Sequence, residues 1–169
     1  DGQLPAWQRL KFDELLAQQL SMRLAYERRK NGQAPVLNGQ GKLVAQLLGQ
    51  IGFELTLAQK KVWQEIVADL AQKHPMHRLL QGDVGSGKTI IAAISALVAI
   101  EAGYQVALMA PTEILAEQHY QKFKKWLTPL GLEVQWLTGS LRKKEKNNIK
   151  ESIASGSTHI AVGTHALFQ

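Results

Sequence analysis

The run Gly82-Asp83-Val84-Gly85-Ser86-Gly87-Lys88-Thr89 has the spacing G-x-x-x-x-G-K-[ST], a pattern with a definite chemistry. Glycines at these positions let the backbone curl until successive N–H groups face one point, and a helix starting at Lys88 adds its positive end. Such a nest binds phosphates. Lys88 is placed to reach β- and γ-phosphates, and the Thr89 hydroxyl to hold the accompanying Mg²⁺. The alternative is a glycine-rich turn with no ligand. Twenty-three residues earlier stands Gln59, in the run Phe53-Glu54-Leu55-Thr56-Leu57-Ala58-Gln59. Its amide could pair with both the donor and the acceptor of an adenine edge, or it could close a capping box with Thr56. Spacing leaves both readings open.

The cradle works only between a strand and a helix, so the flanking elements decide its value. Residues 77–81 predict a strand and residues 88–101 a helix ending before Gly103. Strands at 105–110, 134–137 and 159–162 follow, with helices at about 112–127 and 141–154 between them. This alternation predicts a parallel sheet flanked by helices, an α/β P-loop NTPase fold. Upstream, Phe12, Leu16, Leu20 and Leu24 mark a helix over 8–28, and Val62, Ile66 and Leu70 another over about 57–73, ahead of Pro75. The turn residues from Asn31 to Gly41 predict a loop between them.

Composition narrows the class. With 169 residues, 45% hydrophobic and 20% charged, the chain has the make-up of a folded domain with a real core. The absence of Cys excludes disulfide frameworks and thiolate chemistry. No apolar run reaches the ~18 residues of a membrane span, which predicts no membrane partner and a cytoplasmic location. His74 and His77 lack a third ligand in sequence reach, which argues against a metal site. Trp63 and Trp126 fall in helical apolar patterns, as packing residues do. The net charge of +6 is local: residues 120–150 hold eight Lys or Arg against two Glu. Lys122, Lys124 and Lys125 close one predicted helix, and Arg142, Lys146 and Lys150 stand at i+4 steps on the next, with Lys143 and Lys144 beside them. A contact with an anionic partner and a solvated helix face both fit this stripe.

Four runs together resemble the early motifs of a superfamily 2 helicase motor, in the wording of the bacterial RecG branch-migration helicases. They are Gln81 to Thr89, then Leu108-Met109-Ala110-Pro111-Thr112-Glu113-Ile114-Leu115-Ala116-Glu117-Gln118-His119, then Trp136-Leu137-Thr138-Gly139, then Val162-Gly163-Thr164-His165-Ala166-Leu167-Phe168-Gln169. Residues 12–22 also resemble the helix that joins the wedge domain to the motor in that family. The resemblance implies a RecA-like motor domain, ATP and Mg²⁺ bound by Gly82 to Thr89 with Gln59 near the adenine, and Lys88 and Thr89 as the catalytic groups. It implies DNA-backbone contacts at Pro111, Thr112, Thr138, Gly139 and Thr164, branched duplex DNA (forks and Holliday junctions) as partner, a monomer, and a bacterial cytoplasmic setting. Hydroxyls and N–H groups at strand-to-helix turns suit phosphate oxygens and read no sequence. Without the resemblance, Thr112 is simply a helix N-cap and Thr138-Gly139 a turn.

ATP hydrolysis by such a motor also needs an acidic pair at the end of a buried strand. No predicted strand here ends in Asp-Glu, and Glu113 and Glu117 fall on a helix. The expectation is therefore a fragment: a linker helix and loop over 1–45, and the N-terminal part of the first motor domain over 46–169, truncated before the Walker B strand, able at most to bind ATP. The motor of a transcription-repair coupling translocase is the nearest alternative, although its wording usually differs at the positions of Ser86 and Glu113. A P-loop nucleotide kinase would need an Arg-rich lid, and only Arg142 lies beyond the P-loop. A basic DNA-binding module without enzymatic activity is the third.

Overall fold

A computed structural model describes residues 5–52 and 54–168. Phe53 and Gln169, each quoted in a motif above, lie outside the described residues. The chain divides into two compact units, one of Asp1–Val36 with Gln72–Arg78, the other of Leu37–Ala71 with Leu79–Gln169.

In the first unit, α1 (Pro5–Lys30) begins on a proline, whose fixed φ and missing N–H suit a first helical turn. Its apolar side chains are largely exposed, Leu10, Phe12 and Leu15 at about 60% each. The backbone N–H of Ala34 donates to the Lys73 carbonyl at 2.8 Å, holding the two stretches of this unit together.

The second unit opens with α2 (Lys42–Ile51) and α3 (Leu57–Leu70), followed by α4 (Lys88–Glu101). Sequence reading assigns no element to 42–51. The N-cap of α2 is Gly41 in the left-handed region, φ 73°, with no side chain to cap the helix. The Glu101 carboxylate, at the far end of α4, accepts instead from the N–H groups of Gly41 (2.7 Å) and Leu43. Val44 and Leu47 bury the inner face of α2, which packs on α4. Helix α4 is buried on most sides through Ile90, Ile91, Ala93, Ile94, Ala96, Leu97 and Val98.

Three four-residue strands follow: β1 (Val106–Met109), β2 (Val134–Leu137) and β3 (Ile160–Gly163). Helix α5 (Glu113–Leu127) connects β1 to β2, and α6 (Lys143–Ala154) connects β2 to β3. The sheet is parallel in the order β1-β3-β2, and Met109, Gly163 and Leu137 share one register level at its C-terminal edge. All four residues of β3 are buried, as a central strand covered on both faces requires. On α5, Ala116, Phe123 and Leu127 pack inward. Glycine is obligatory at 163, because a Cβ there would collide with the Leu137 carbonyl oxygen of the neighbouring strand.

Two local expectations are corrected. Residues 77–81 form no strand and stay outside the sheet of the described residues, and Leu79 is 86% exposed. Helix α3 ends at Leu70, short of 73, and residues 72–78 belong to the first unit. Among the described residues, no helix is long and apolar enough to cross a membrane, and no group of three His, Asp or Glu is placed to hold a metal ion.

Candidate nucleotide and backbone-binding site

The turn ahead of α4 has the geometry its glycines allow. Gly85 (φ 83°) and Gly87 (φ 87°) are both left-handed, and Gly87 is the N-cap of α4. The Ser86 N–H turns back to the Asp83 carbonyl at 3.2 Å. The N–H groups of Gly85, Gly87, Lys88 and Thr89 find no acceptor among the described residues, so a cluster of donors stands free at a helix N-terminus. Lys88 folds over the loop and donates to the Gly82 and Asp83 carbonyls, each at 2.7 Å. Its ammonium is thereby fixed above the nest with one N–H uncommitted. Thr89 is half-buried on the first turn of α4.

Free amides, a poised cation and a half-buried hydroxyl are the donor set that a polyphosphate and its Mg²⁺ require. A cleft of about 270 Å³ adjoins the loop, between Ala58, Gln59 and Val62 on one side and Gly82, Asp83 and Lys88 on the other. Side chains at two of the loop glycines would meet neighbours: a Cβ on Gly82 would stand 2.7 Å from Ser86 Oγ, and one on Gly87 would collide with Gln59 Nε2.

Gln59 forms the capping box and touches the loop as well. Its Oε1 accepts from the Thr56 N–H at 2.9 Å, and its own N–H donates to Thr56 Oγ1 at 3.3 Å. The Nε2 donates to the Ser86 carbonyl at 2.9 Å. One amide N–H and one carbonyl lone pair remain for a base edge.

The other motif residues meet at the C-terminal edge of the sheet, where ligands of open α/β sheets bind. Pro111 and Thr112 follow β1, Thr138 and Gly139 follow β2, and Thr164 follows β3. Thr112 is the N-cap of α5, its Oγ1 accepting from the Leu115 N–H at 3.3 Å. Thr138 is fully buried, with its hydroxyl 3.0 Å from Ser140 Oγ, while Gly139 is exposed. Thr164 is half-buried and opens the 3-10 turn His165–Phe168 through the bond from Leu167 N–H to its carbonyl.

Two residues to which sequence reading gave no role at this edge, Ser140 and Lys146, help hold it together. Ser140 Oγ donates to Glu113 Oε2 at 3.2 Å, tying the turn after β2 to the start of α5. Lys146 on α6 donates to the Gly139 carbonyl at 2.7 Å. The run Thr138-Gly139-Ser140 was the available signal for Ser140; Lys146 was legible only as one charge in a stripe. Trp136 stands 5.5 Å from Tyr120, ring centre to ring centre, and Trp126 6.3 Å from Phe123, as packing residues. On the same helix, burial and then the nearby Lys122 ammonium push the His119 pKa below its usual value.

The DEAD/DEAH box helicase family model matches residues 56–169, about two thirds of the chain. The chain is 50% identical over 167 residues to the ATP-dependent DNA helicase RecG of Acidithiobacillus ferridurans, and 51% over 168 residues to that of Pasteurella multocida. Each alignment covers 99% of this chain and 24% of the relative, so the chain spans about a quarter of the length of these proteins. A solved structure of RecG bound to a three-way DNA junction superposes with a TM-score of 0.87 at 40% identity, over 96% of this chain and 22% of that one. With the parallel sheet, the glycine-rich loop and the motif turns all lying inside these matches, the chain belongs to the DEAD/DEAH box helicase family, as a RecA-like domain in part, and is similar along nearly all its length to RecG.

Proposed function

We propose that this chain supplies the nucleotide cradle and part of the DNA track of an ATP-driven motor that moves on duplex DNA and remodels branched DNA, forks and Holliday junctions, in recombination and repair. In that reading Gly82 to Thr89 bind the phosphates of ATP, Gln59 lies at the adenine, and Thr89 holds Mg²⁺. Lys88 acts as the catalytic cation, neutralising charge that develops on the transferred phosphoryl group. Pro111, Thr112, Gly139 and Thr164 meet the DNA backbone, and Thr138 supports that surface from beneath through Ser140. Residues 1–45 form a linker and 46–169 the motor portion; the protein works as a monomer in the bacterial cytoplasm.

The observation that carries the reading is the cluster of uncommitted N–H groups at Gly85, Gly87, Lys88 and Thr89 beneath a lysine already fixed over them. The described residues place no acidic pair at a strand end: β1 runs into Ala110-Pro111-Thr112 and β3 into Thr164. The chain alone is therefore expected to bind ATP without turning it over.

Titrating labelled ATP into the chain and its Lys88→Ala variant, with phosphate release followed in parallel, tests both parts. Binding by the parent that drops at least tenfold in the variant, without phosphate release, supports the proposal. Equal binding in both rejects the cradle, and turnover abolished by Lys88→Ala rejects the expectation that hydrolysis needs more than this chain.

A further inference from the structure

Helix α6 is built against its own electrostatics. Arg142, Lys143, Lys144 and Lys146 crowd its N-terminal turn, where the helix dipole disfavours cations, and Glu145 is the only acid in that turn. Glu145 is already engaged, its Oε2 accepting from the Arg142 backbone N–H at 2.9 Å. No carboxylate among the described residues pairs with Lys143, Lys144 or Lys150. A helix face that merely keeps a protein in solution mixes both signs and gains from i,i+4 pairs. The start of α6 instead sets four cations against one acid, where the backbone penalises positive charge.

The structure also sorts the stripe. Lys146, in the middle of the i+4 line read from sequence, is half-buried and bonded to the Gly139 carbonyl. The exposed sector holds Lys143, Asn147 and Lys150, neighbours on a 3.6-residue helix, with Lys144 and the carboxylate of Glu151 at its border, three cations against one acid. Through Lys146 this sector is anchored to the turn after β2, so the basic face continues directly from the sheet edge proposed to meet DNA. Three ammonium groups and one amide on an exposed face suit successive phosphates of a backbone and offer nothing specific to a base edge.

We infer that the exposed face of α6, with Lys143, Lys144, Asn147 and Lys150, is a further contact for the phosphate backbone of duplex DNA, extending the surface at the C-terminal edge of the sheet. The inference rests on the nucleic-acid reading above and adds to it the segment that holds the duplex. Because counterions are released from each phosphate neutralised, losing three such contacts lowers the slope of log K against log salt by about 2 to 3.

Fluorescence anisotropy of the chain with a labelled three-way junction and with plain duplex, over a range of KCl, measures that slope. The triple variant K143Q/K144Q/K150Q is expected to bind more weakly with the slope reduced as stated, and the variant carrying Arg at all three positions to keep the parental slope. Circular dichroism of each variant separates a folding defect from a binding defect. An unchanged slope in the folded Gln variant overturns this inference alone, provided the parent binds and Gly139→Asp weakens it. A parent that binds no DNA at low salt overturns the nucleic-acid reading and this inference with it. Equal affinity for poly-glutamate and for duplex overturns DNA as the partner of this face.

Discussion

Replacing Glu101 by Ala should loosen the far end of the P-loop helix from α2. The carboxylate accepts from Gly41 N–H and Leu43 N–H, the latter at the position that a side-chain N-cap would satisfy. Losing an N-cap acceptor costs about 1 kcal/mol. Each hydrogen bond to an ionised acceptor contributes about 1.5–3 kcal/mol at most. Glu101 is only half-buried, and freed amides at a helix start can be hydrated, so about 2 kcal/mol is expected for the pair. For a chain of this size, that corresponds to a fall in Tm of roughly 4–8 °C. Glu101→Gln keeps an acceptor oxygen but no charge, and should lose about half as much. Thermal melting by far-UV circular dichroism, with a guanidinium titration to verify an unchanged m-value, reads both variants. A Tm for Glu101→Ala within roughly 1 °C of the parent would refute the reasoning, as would Gln proving as damaging as Ala.

Gly87→Ala should abolish ATP binding while leaving the sheet folded, because it forces a left-handed residue costing about 1–2 kcal/mol and drives a methyl into the Gln59 amide; isothermal titration with ATP checks this. Gly163→Ala should destabilise the fold by about 2–3 kcal/mol through overlap with the Leu137 carbonyl, seen as a lower denaturation midpoint. His119 has a folded-state pKa below its unfolded value, so the unfolded chain binds the proton more readily and stability is lost as pH falls below the ordinary histidine range. His119→Gln should therefore lose less stability than the parent between pH 7.5 and pH 5, as about equal losses in paired melts would contradict.

Much of the fold is legible where the information is local. The three strands fall within a residue or two of the apolar runs at 105–110, 134–137 and 159–162, since glycines and Pro111 bound them. Helix α4 spans the predicted 88–101 because the glycine turn sets its start and Gly103 its end. What escapes is long-range. The cap of α2 comes from Glu101, 60 residues away, although Leu43, Val44, Leu47, Leu48 and Ile51 offered a helical apolar pattern. The run 77–81 has a strand's apolar pattern and yet stays outside the sheet of the described residues, which its composition does not announce. At the site, the loop glycines and Lys88 announce themselves; of the two readings of Gln59 the structure shows the capping box, and it adds a contact to the Ser86 carbonyl that neither reading named. Lys146 looks like its neighbours in sequence and is distinguished only by the carbonyl it meets.

The level ending of the three strands sets a length. Strands in a sheet lie about 4.8 Å apart, so the turns after β1, β3 and β2 are spread across about 10 Å. One strand of B-form DNA advances about 3.4 Å per nucleotide, so that spread equals about three nucleotide steps. On the proposed reading the sheet edge is a ruler longer than the unit it measures. A one-nucleotide shift, about 3.4 Å, is shorter than the spacing of two neighbouring turns, so on that reading a single step would leave the duplex within the span of the three turns.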